Sequence, residues 1–280
     1  MRTPKHPYGN VVLITGASSG IGAAAARLFA EHGYTVWGAS RFCSEERTPC
    51  GAGEIRTVRM DVTDEASVRR AVEIVLRESG EIGVLLHCAG YGIAGAAEDT
   101  PVEAAAAQMD TNYFGVLRVN RAVMPAMREK GAGLVLVMSS VAGRVAIPFQ
   151  SQYSASKFAL EATVEAMRAE CAPYGIRAAL IEPGDTNTGF TGARKMMAPP
   201  GSVYEQACRR AVGKMERDER RGKPAVTAAK AALRLAGKQN PPLRRVVGAD
   251  YRLLALLIKL LPDRVRCYLI ARLYTGGKKE

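Results

Sequence analysis

The feature that most restricts the fold is the alternation of short apolar runs with longer stretches of helical period. Seven runs read as strands: Val11–Thr15, Thr35–Ala39, Ile55–Met60, Val84–Cys88, Gly133–Ser139, Arg177–Ile181 and Arg245–Gly248. They are rich in Val, Ile and Leu without apolar–polar alternation, the pattern of strands buried on both faces. Between them lie helical stretches near Ile21–His32, Glu65–Ser79, Pro101–Lys130, Ser151–Tyr174 and Val226–Gly237. Strands with two apolar faces need helices on both sides, so the expected architecture is an α/β, doubly wound parallel sheet of about seven strands. One domain is expected over residues 1–280, with its core at 10–186 and 224–249. The alternation lapses at Asn187–Lys223, a polar segment expected as an insertion or lid, and 250–280 are expected as a helical tail.

Composition narrows the field further. With 48% hydrophobic and 24% charged residues, the 280-residue chain is neither disordered nor a fibrous repeat. No apolar run reaches the ~18 residues of a membrane span, and Pro4 and Pro7 in the first ten residues do not suit a signal peptide. Six cysteines without a Cys-x-x-Cys pair, and three separated histidines, give no reason to expect a metal or disulfide framework. A cytoplasmic setting is expected, with membrane association as the alternative. The net charge of +12 is uneven: residues 1–193 carry 18 Lys and Arg against 20 Asp and Glu, whereas 194–280 carry 21 against 7. The basic third lacks interleaved aromatics or a nucleic-acid motif, so no nucleic acid is expected as partner. Anionic lipid headgroups, an acidic substrate group or plain solvation remain as explanations.

The first strand runs into Thr15-Gly16-Ala17-Ser18-Ser19-Gly20-Ile21-Gly22. Glycines there permit a tight turn and close backbone approach to a phosphate, while the next helix directs its N–H groups and dipole at the anion. Ser40-Arg41 follows the second strand, with no acidic residue until Glu45. A carboxylate at that point accepts from a ribose 2′-hydroxyl, whereas arginine accommodates a 2′-phosphate. NADP(H) is therefore the expected dinucleotide, with NAD(H) as the alternative. Further along, Tyr153 and Lys157 stand one helical turn apart on one face. A nearby ammonium lowers a phenol's pKa, so such a pair can exchange a proton with an alcohol or carbonyl oxygen. Ser139-Ser140 ends a buried strand thirteen residues before Tyr153, at the sheet edge where open α/β folds bind ligands. Asn112 interrupts an otherwise regular helical pattern.

In this order and spacing the chain resembles the short-chain dehydrogenase/reductase family, nearest its hydroxysteroid and retinol dehydrogenase branch. The resemblance covers roughly residues 10–250 and rests on Thr15-Gly-x-x-x-Gly-x-Gly22, Asp61, Ala89-Gly90, Asn112, Ser140, Tyr153, Lys157 and Pro183-Gly184 with Thr188. It implies a Rossmann-type sheet and four catalytic positions. Tyr153 would be the general acid/base and Ser140 the partner of the substrate oxygen. Lys157 would hold the nicotinamide ribose and Asn112 would position a water. The cofactor would lie along Gly16, Ser18, Ser19, Gly20, Ile21, Gly22, Ser40, Arg41, Asp61, Val62, Ala89 and Gly90, then Asn112, Tyr153, Lys157, Pro183, Gly184, Thr186 and Thr188. Adjacent strand residues face opposite ways, so only one of Ser139 and Ser140 can face a substrate; the resemblance implies Ser140, since the family's catalytic serine stands thirteen residues before the tyrosine. The chain departs from the family at His87-Cys88, where Asn usually precedes Ala-Gly, and at Thr186, where a branched apolar residue is common. His87 reads as a hydrogen-bonding residue at the sheet end.

In the tail, Tyr251–Leu261 is an apolar run too short to span a bilayer, and Val265, Leu269, Ile270 and Leu273 form one stripe beyond Pro262. Core packing is the simpler reading, and interfacial attachment by a basic amphipathic helix is its rival. Phe190, Met196 and Met197 in the lid, together with this tail, suggest an apolar small-molecule substrate. The expectation is an NADP(H)-dependent oxidoreductase acting on a ketone or secondary alcohol of a steroid-, retinoid- or lipid-like substrate, assembled as a homodimer or homotetramer. A non-catalytic NADP-binding sensor or scaffold, and a peripheral membrane adaptor, are the alternatives.

Overall fold

The computed structural model describes residues 6–275, so the ends of the expected domain, including Pro4 and residues 276–280 of the tail, lie outside the described residues. The first half runs β1 (Val11–Thr15), α1 (Gly20–Glu31), β2 (Thr35–Ser40), β3 (Arg47–Cys50), β4 (Gly53–Arg59), α2 (Glu65–Ser79), β5 (Val84–His87), β6 (Ile93–Ala94), α3 (Val102–Met109) and α4 (Gly115–Lys130). There follow β7 (Gly133–Met138), α5 (Ser151–Cys171), β8 (Ile176–Pro183), β9 (Thr186–Asn187), α6 (Phe190–Ala193), β10 (Lys195–Met196), α7 (Glu205–Arg220), β11 (Lys223–Pro224), α8 (Val226–Ala236), β12 (Arg244–Val247), α9 (Ala249–Leu260) and α10 (Asp263–Thr275).

The main sheet has eight strands in the order β12-β8-β7-β5-β1-β2-β4-β3. Every neighbour is parallel except β3 on β4. β1 is central, with Leu13 between Trp37 and Leu85. The strand order reverses beside β1, which opens a crevice at the carboxyl ends of β1 and β5, where such sheets bind ligands. Because both faces of the central strands are apolar, the sheet has a core on each side. Leu13, Leu85, Val119, Val135 and Val164 pack on one face, beneath helices that include α4 and α5. Ile14, Phe29, Leu86, Leu136 and Ala229 fill the other, under α1 and α8.

Four features add to or depart from these expectations. The eighth strand, β3, turns back antiparallel on β4 through Gly51-Ala52, with Gly51 at φ 62°. Its mostly exposed sequence Arg-Thr-Pro-Cys carries no apolar run, because an edge strand that packs only Cys50 against the core needs none. The helical stretch over Pro101–Lys130 is two helices joined by a π turn, Asp110–Phe114, which contains the Asn112 that interrupts the pattern. Within Asn187–Lys223 lies a sixteen-residue helix, α7, in which nine residues are charged while Cys208, Ala211, Val212 and Met215 are buried. Finally, α9 buries only Ala255 and Ile258, and α10 buries none of its side chains, so the tail's apolar stripes are not core.

Candidate functional site

The crevice is assembled from strand ends that the chain itself ties together. Thr15 Oγ1 accepts from the backbone N–H groups of Cys88 and Ala89 at 3.2 and 3.3 Å, joining the ends of β1 and β5. Gly16 then turns with φ 68°, and any Cβ on it would lie 2.7 Å from the Ala89 nitrogen. A Cβ on Gly22 would fall 2.2 Å from the Gly16 carbonyl oxygen, so the helix can approach the turn this closely only with glycine there. Ser18 and Ser19 are exposed at the mouth, and Ser19 stands before α1 without a side-chain cap bond. The first-turn N–H groups around Gly20 and Ile21 are thus directed outward, as a phosphate requires. Across the crevice, Thr188 lies 3.5 Å from the Cβ position of Gly20.

At the β2 and β4 ends, between those strand ends and α2, lies a cavity of about 550 Å³ whose lining includes Arg41, Phe42, Arg59, Asp61, Ser67 and Arg70. Ser40 supports its rim, accepting from Met60 through its carbonyl at 2.9 Å. Val62 is buried against Gly115, whose missing Cβ leaves the necessary space. Burial would raise the Asp61 pKa, but the Thr63 N–H and hydroxyl donate to Oδ1 at 2.9 and 2.7 Å. With Arg41 and Arg118 also nearby, the carboxyl is held below the usual carboxylate range. Asp64 caps α2 by accepting from the Ala66 N–H. Arg41 and Arg59 have no ion-pair partner among the described residues.

The other end of the crevice brings the remaining positions together. Ser139 and Ser140 part as pleat alternation requires: Ser139 is buried and donates to Glu161 at 2.6 Å. Ser140 instead faces Tyr153 and contacts the Pro183 carbonyl at 3.5 Å. Burial pushes the Tyr153 phenol up to about 12, opposed by the Ser140 hydroxyl and by Arg194. Lys157 lies beneath the Tyr153 ring, Nζ 5.6 Å from its centre, and donates to the Met138 carbonyl at 2.9 Å. Burial pulls its ammonium down to about 8. Asn112, on the π turn, accepts from the Tyr91 N–H at 3.0 Å and donates to the Tyr91 carbonyl at 2.9 Å. Its second N–H reaches Ser156 Oγ at 3.1 Å, and that hydroxyl donates to the Tyr153 carbonyl. Gly90 is so close that a Cβ would sit 3.1 Å from Asn112 Oδ1. Gly184 has its open side filled by the Tyr251 ring, Thr186 donates to the Gly184 carbonyl at 2.9 Å, and Thr188 accepts from the Phe190 N–H at 3.2 Å. Phe190 then lies over Tyr153, ring centres 5.5 Å apart.

The order of these parts matches a known family. A profile described as short chain dehydrogenase matches residues 10–198. The chain belongs to the short-chain dehydrogenases. A 3-ketodihydrosphingosine reductase of Bacteroides thetaiotaomicron is 39% identical over 267 residues, covering 94% of this chain and 97% of that one. Among solved structures, a short-chain dehydrogenase from Streptomyces avermitilis superposes with a TM-score of 0.79 at 30% identity, over 96% of this chain and 97% of the other. A Burkholderia cenocepacia short chain dehydrogenase in complex with NADP superposes with a TM-score of 0.71 at 28% identity, over 96% and 99%.

Several neighbours of this short-chain dehydrogenase's crevice were not legible beforehand. Arg59 joins Arg41 and its chain neighbour Phe42 at the β2 and β4 ends, and only the knowledge that β4 ends beside β2 brings Arg59 there. Arg194 packs over Phe190 and forms an ion pair with Glu219, yet its buried Nε and Nη1 have no hydrogen-bond partner among the described residues. Tyr251 donates to Asp185, fixing the start of α9 to the loop after β8. His87 is buried with Nε2 2.9 Å from Asn120 Oδ1, a hydrogen-bonding residue away from the crevice groups.

Proposed function

We propose that this chain is an NADP(H)-dependent reductase of ketones carried on long apolar substrates, with 3-ketodihydrosphingosine as the substrate to test first. The observation that carries the reading is the meeting of Ser140, Tyr153 and Lys157 at the sheet edge beneath Phe190. Gly16 and Gly22 let the turn close on the Ala89 backbone and the helix close on the turn, where any Cβ would collide with backbone, and this supports a pyrophosphate at the first-turn N–H groups. At the far end, Arg41 and Arg59 are two unpaired cations suited to a 2′-phosphate. The cofactor would rest along Gly16 to Gly22, Ser40, Arg41, Asp61, Val62, Ala89, Gly90 and the Pro183–Thr188 loop, and would supply a hydride.

The chain's own residues handle the proton. A Tyr153 phenol with its pKa near 12 is fully protonated at neutral pH, so it is poised to donate to a carbonyl oxygen. Ser140, bound to no stronger acceptor than a 3.5 Å carbonyl, can donate to the same oxygen and stabilise its charge. Lys157 places positive charge under the ring and favours the phenolate that remains. Asn112 has both amide hydrogens engaged, which leaves one lone pair of Oδ1 to hold a water. We read residues 187–223 as a lid that excludes bulk water, with Phe190 as its contact on Tyr153. The unpartnered Nε and Nη1 of Arg194 offer donors to an oxygen at the substrate's polar end. The 39%-identical reductase supports the choice of a long-chain ketone. Exposed Val102, Phe114 and Phe158 on α3, the π turn and α5 support a homodimer through these helices.

Fluorescence titration with NADPH and NADH, followed by NADPH consumption with 3-ketodihydrosphingosine, tests the reading. Arg41→Ala is expected to weaken NADPH about 10- to 150-fold, the loss of a charge-assisted contact, and to leave NADH unchanged. Equal binding of both cofactors together with no consumption of the ketone would overturn it.

A further inference from the structure

We infer that the outer face of α9 and α10 docks on an anionic lipid surface. α9 is anchored on one side only. Tyr251 is tied to Asp185, and Ala255 and Ile258 are buried one and two turns further on. The opposite side carries Leu253, Leu256, Leu257 and Leu260, of which Leu253 is 60% and Leu260 72% exposed. A solvated helix carries polar residues on that side. α10, beyond Pro262, exposes Val265, Tyr268, Leu269 and Leu273, at the three- and four-residue spacing of one helical stripe. Large contiguous apolar patches on a soluble chain mark a surface that meets something.

The charges around the patch choose the occupant. The two acidic residues of α9 and α10 are already neutralised, Asp250 by Lys223 at 3.3 Å and Asp263 by Arg266 at 2.7 Å. Arg252, Lys259, Arg264 and Arg272 are exposed, and none of them has an ion-pair partner among the described residues. Leucines flanked on α9 by Arg252 and Lys259, with Arg264 and Arg272 exposed on the next helix, complement acyl chains beneath anionic headgroups. A second copy is the poorer fit, because a two-fold contact sets the same cationic rim against itself. The helix lies in the interface rather than crossing it: twelve residues of α9 reach only about 18 Å against about 30 Å of hydrocarbon. No helix among the described residues is long and apolar enough to cross a membrane. The inference stands apart from the proposed reaction, since vesicle binding requires neither cofactor nor turnover.

Co-sedimentation of the full chain with phosphatidylcholine vesicles, with and without about one third phosphatidylglycerol, tests it. The chain is expected to sediment with the anionic vesicles only. Binding should weaken at least about tenfold between 0.1 and 1 M salt, as the screening length falls from about 10 to about 3 Å. Replacing Leu253, Leu256, Leu257 and Leu260 by Ser is expected to lower binding at least about 100-fold with the thermal unfolding temperature kept. A second variant with Arg252, Lys259, Arg264 and Arg272 replaced by Gln leaves the leucines in place. It should reduce anionic-vesicle binding to the phosphatidylcholine level. The inference is overturned if the wild-type chain stays in the supernatant with anionic vesicles, or if the arginine and lysine replacements leave binding intact. It is equally overturned if light scattering shows a leucine-dependent dimer that excludes vesicles, which would assign the face to a second copy.

Discussion

His87 should make this protein acid-labile in a way that one substitution can isolate. The imidazole is buried at the end of β5, and desolvation of its charged form lowers its pKa from 6.5 to about 4, against the opposing pull of its bond to Asn120. In the unfolded chain the same group takes a proton near its ordinary value. Between these two values the unfolded state therefore binds more protons than the folded state, and stability falls as pH falls. At ~1.4 kcal/mol per unit, the group withdraws about 2 kcal/mol by pH 5 and about 3 kcal/mol by pH 4. His87→Gln retains an amide N–H to reach Asn120 and does not titrate. Urea unfolding at pH 7, 6 and 5 compares the two proteins, and any constant packing cost of the substitution cancels in the slope. The wild-type chain should lose about 2 kcal/mol more than the variant between pH 7 and 5. Parallel stability curves would show that His87 is not held neutral by burial.

Tyr153→Phe should lower NADPH-dependent ketone turnover at least ~100-fold while cofactor titration is unaffected, since only the donated proton is removed. Retained turnover would take Tyr153 out of the proposed reaction. The two serines should separate by assay: Ser140→Ala lowers kcat with little change in melting temperature. Ser139→Ala leaves the Glu161 carboxylate without its buried donor and costs about 1–3 kcal/mol of stability; the reverse assignment would identify Ser139 as the substrate-facing hydroxyl. Phe158→Arg, on the exposed face of α5, should turn a dimer into a monomer by light scattering, and an unchanged dimer would move the interface elsewhere.

Reading the chain without coordinates succeeds where burial writes itself into composition. Strands enclosed on both faces, such as Val135–Val137, must be apolar at every position, so their runs are visible. Alternation likewise separates Ser139 from Ser140, because neighbouring strand residues cannot face the same way. β3 escapes for the opposite reason: it lies at an edge and leaves no apolar trace. α7 escapes because its charges, paired at 3.0 Å for Glu205–Arg209 and 2.6 Å for Lys214–Asp218, dominate its composition and its buried face is narrow. Arg59 joins Arg41 only through the β2–β4 register, a long-range pairing that no local spacing encodes. In the tail, periodicity identifies which leucines share a face but is silent on what covers it. The exposure of Leu253 and Leu260 is a fact of tertiary placement alone.

The π turn at Asp110–Phe114 works as a phase adjuster. Each residue of an α-helix rotates its successor by about 100°, so in one unbroken helix the outward residues of α3 would dictate which side of α4 faces the sheet. The wider winding of these five residues breaks that constraint. α3 fully buries only Gln108 and leaves half of its residues exposed, while α4 turns Val116, Val119, Val123 and Met127 inward. The same break aims Asn112 at Tyr91 and Ser156, away from the helix's own axis of packing. Changes of length or sequence in α3 are thus decoupled from the core, and the rotational setting of the buried helix is decided locally at five residues.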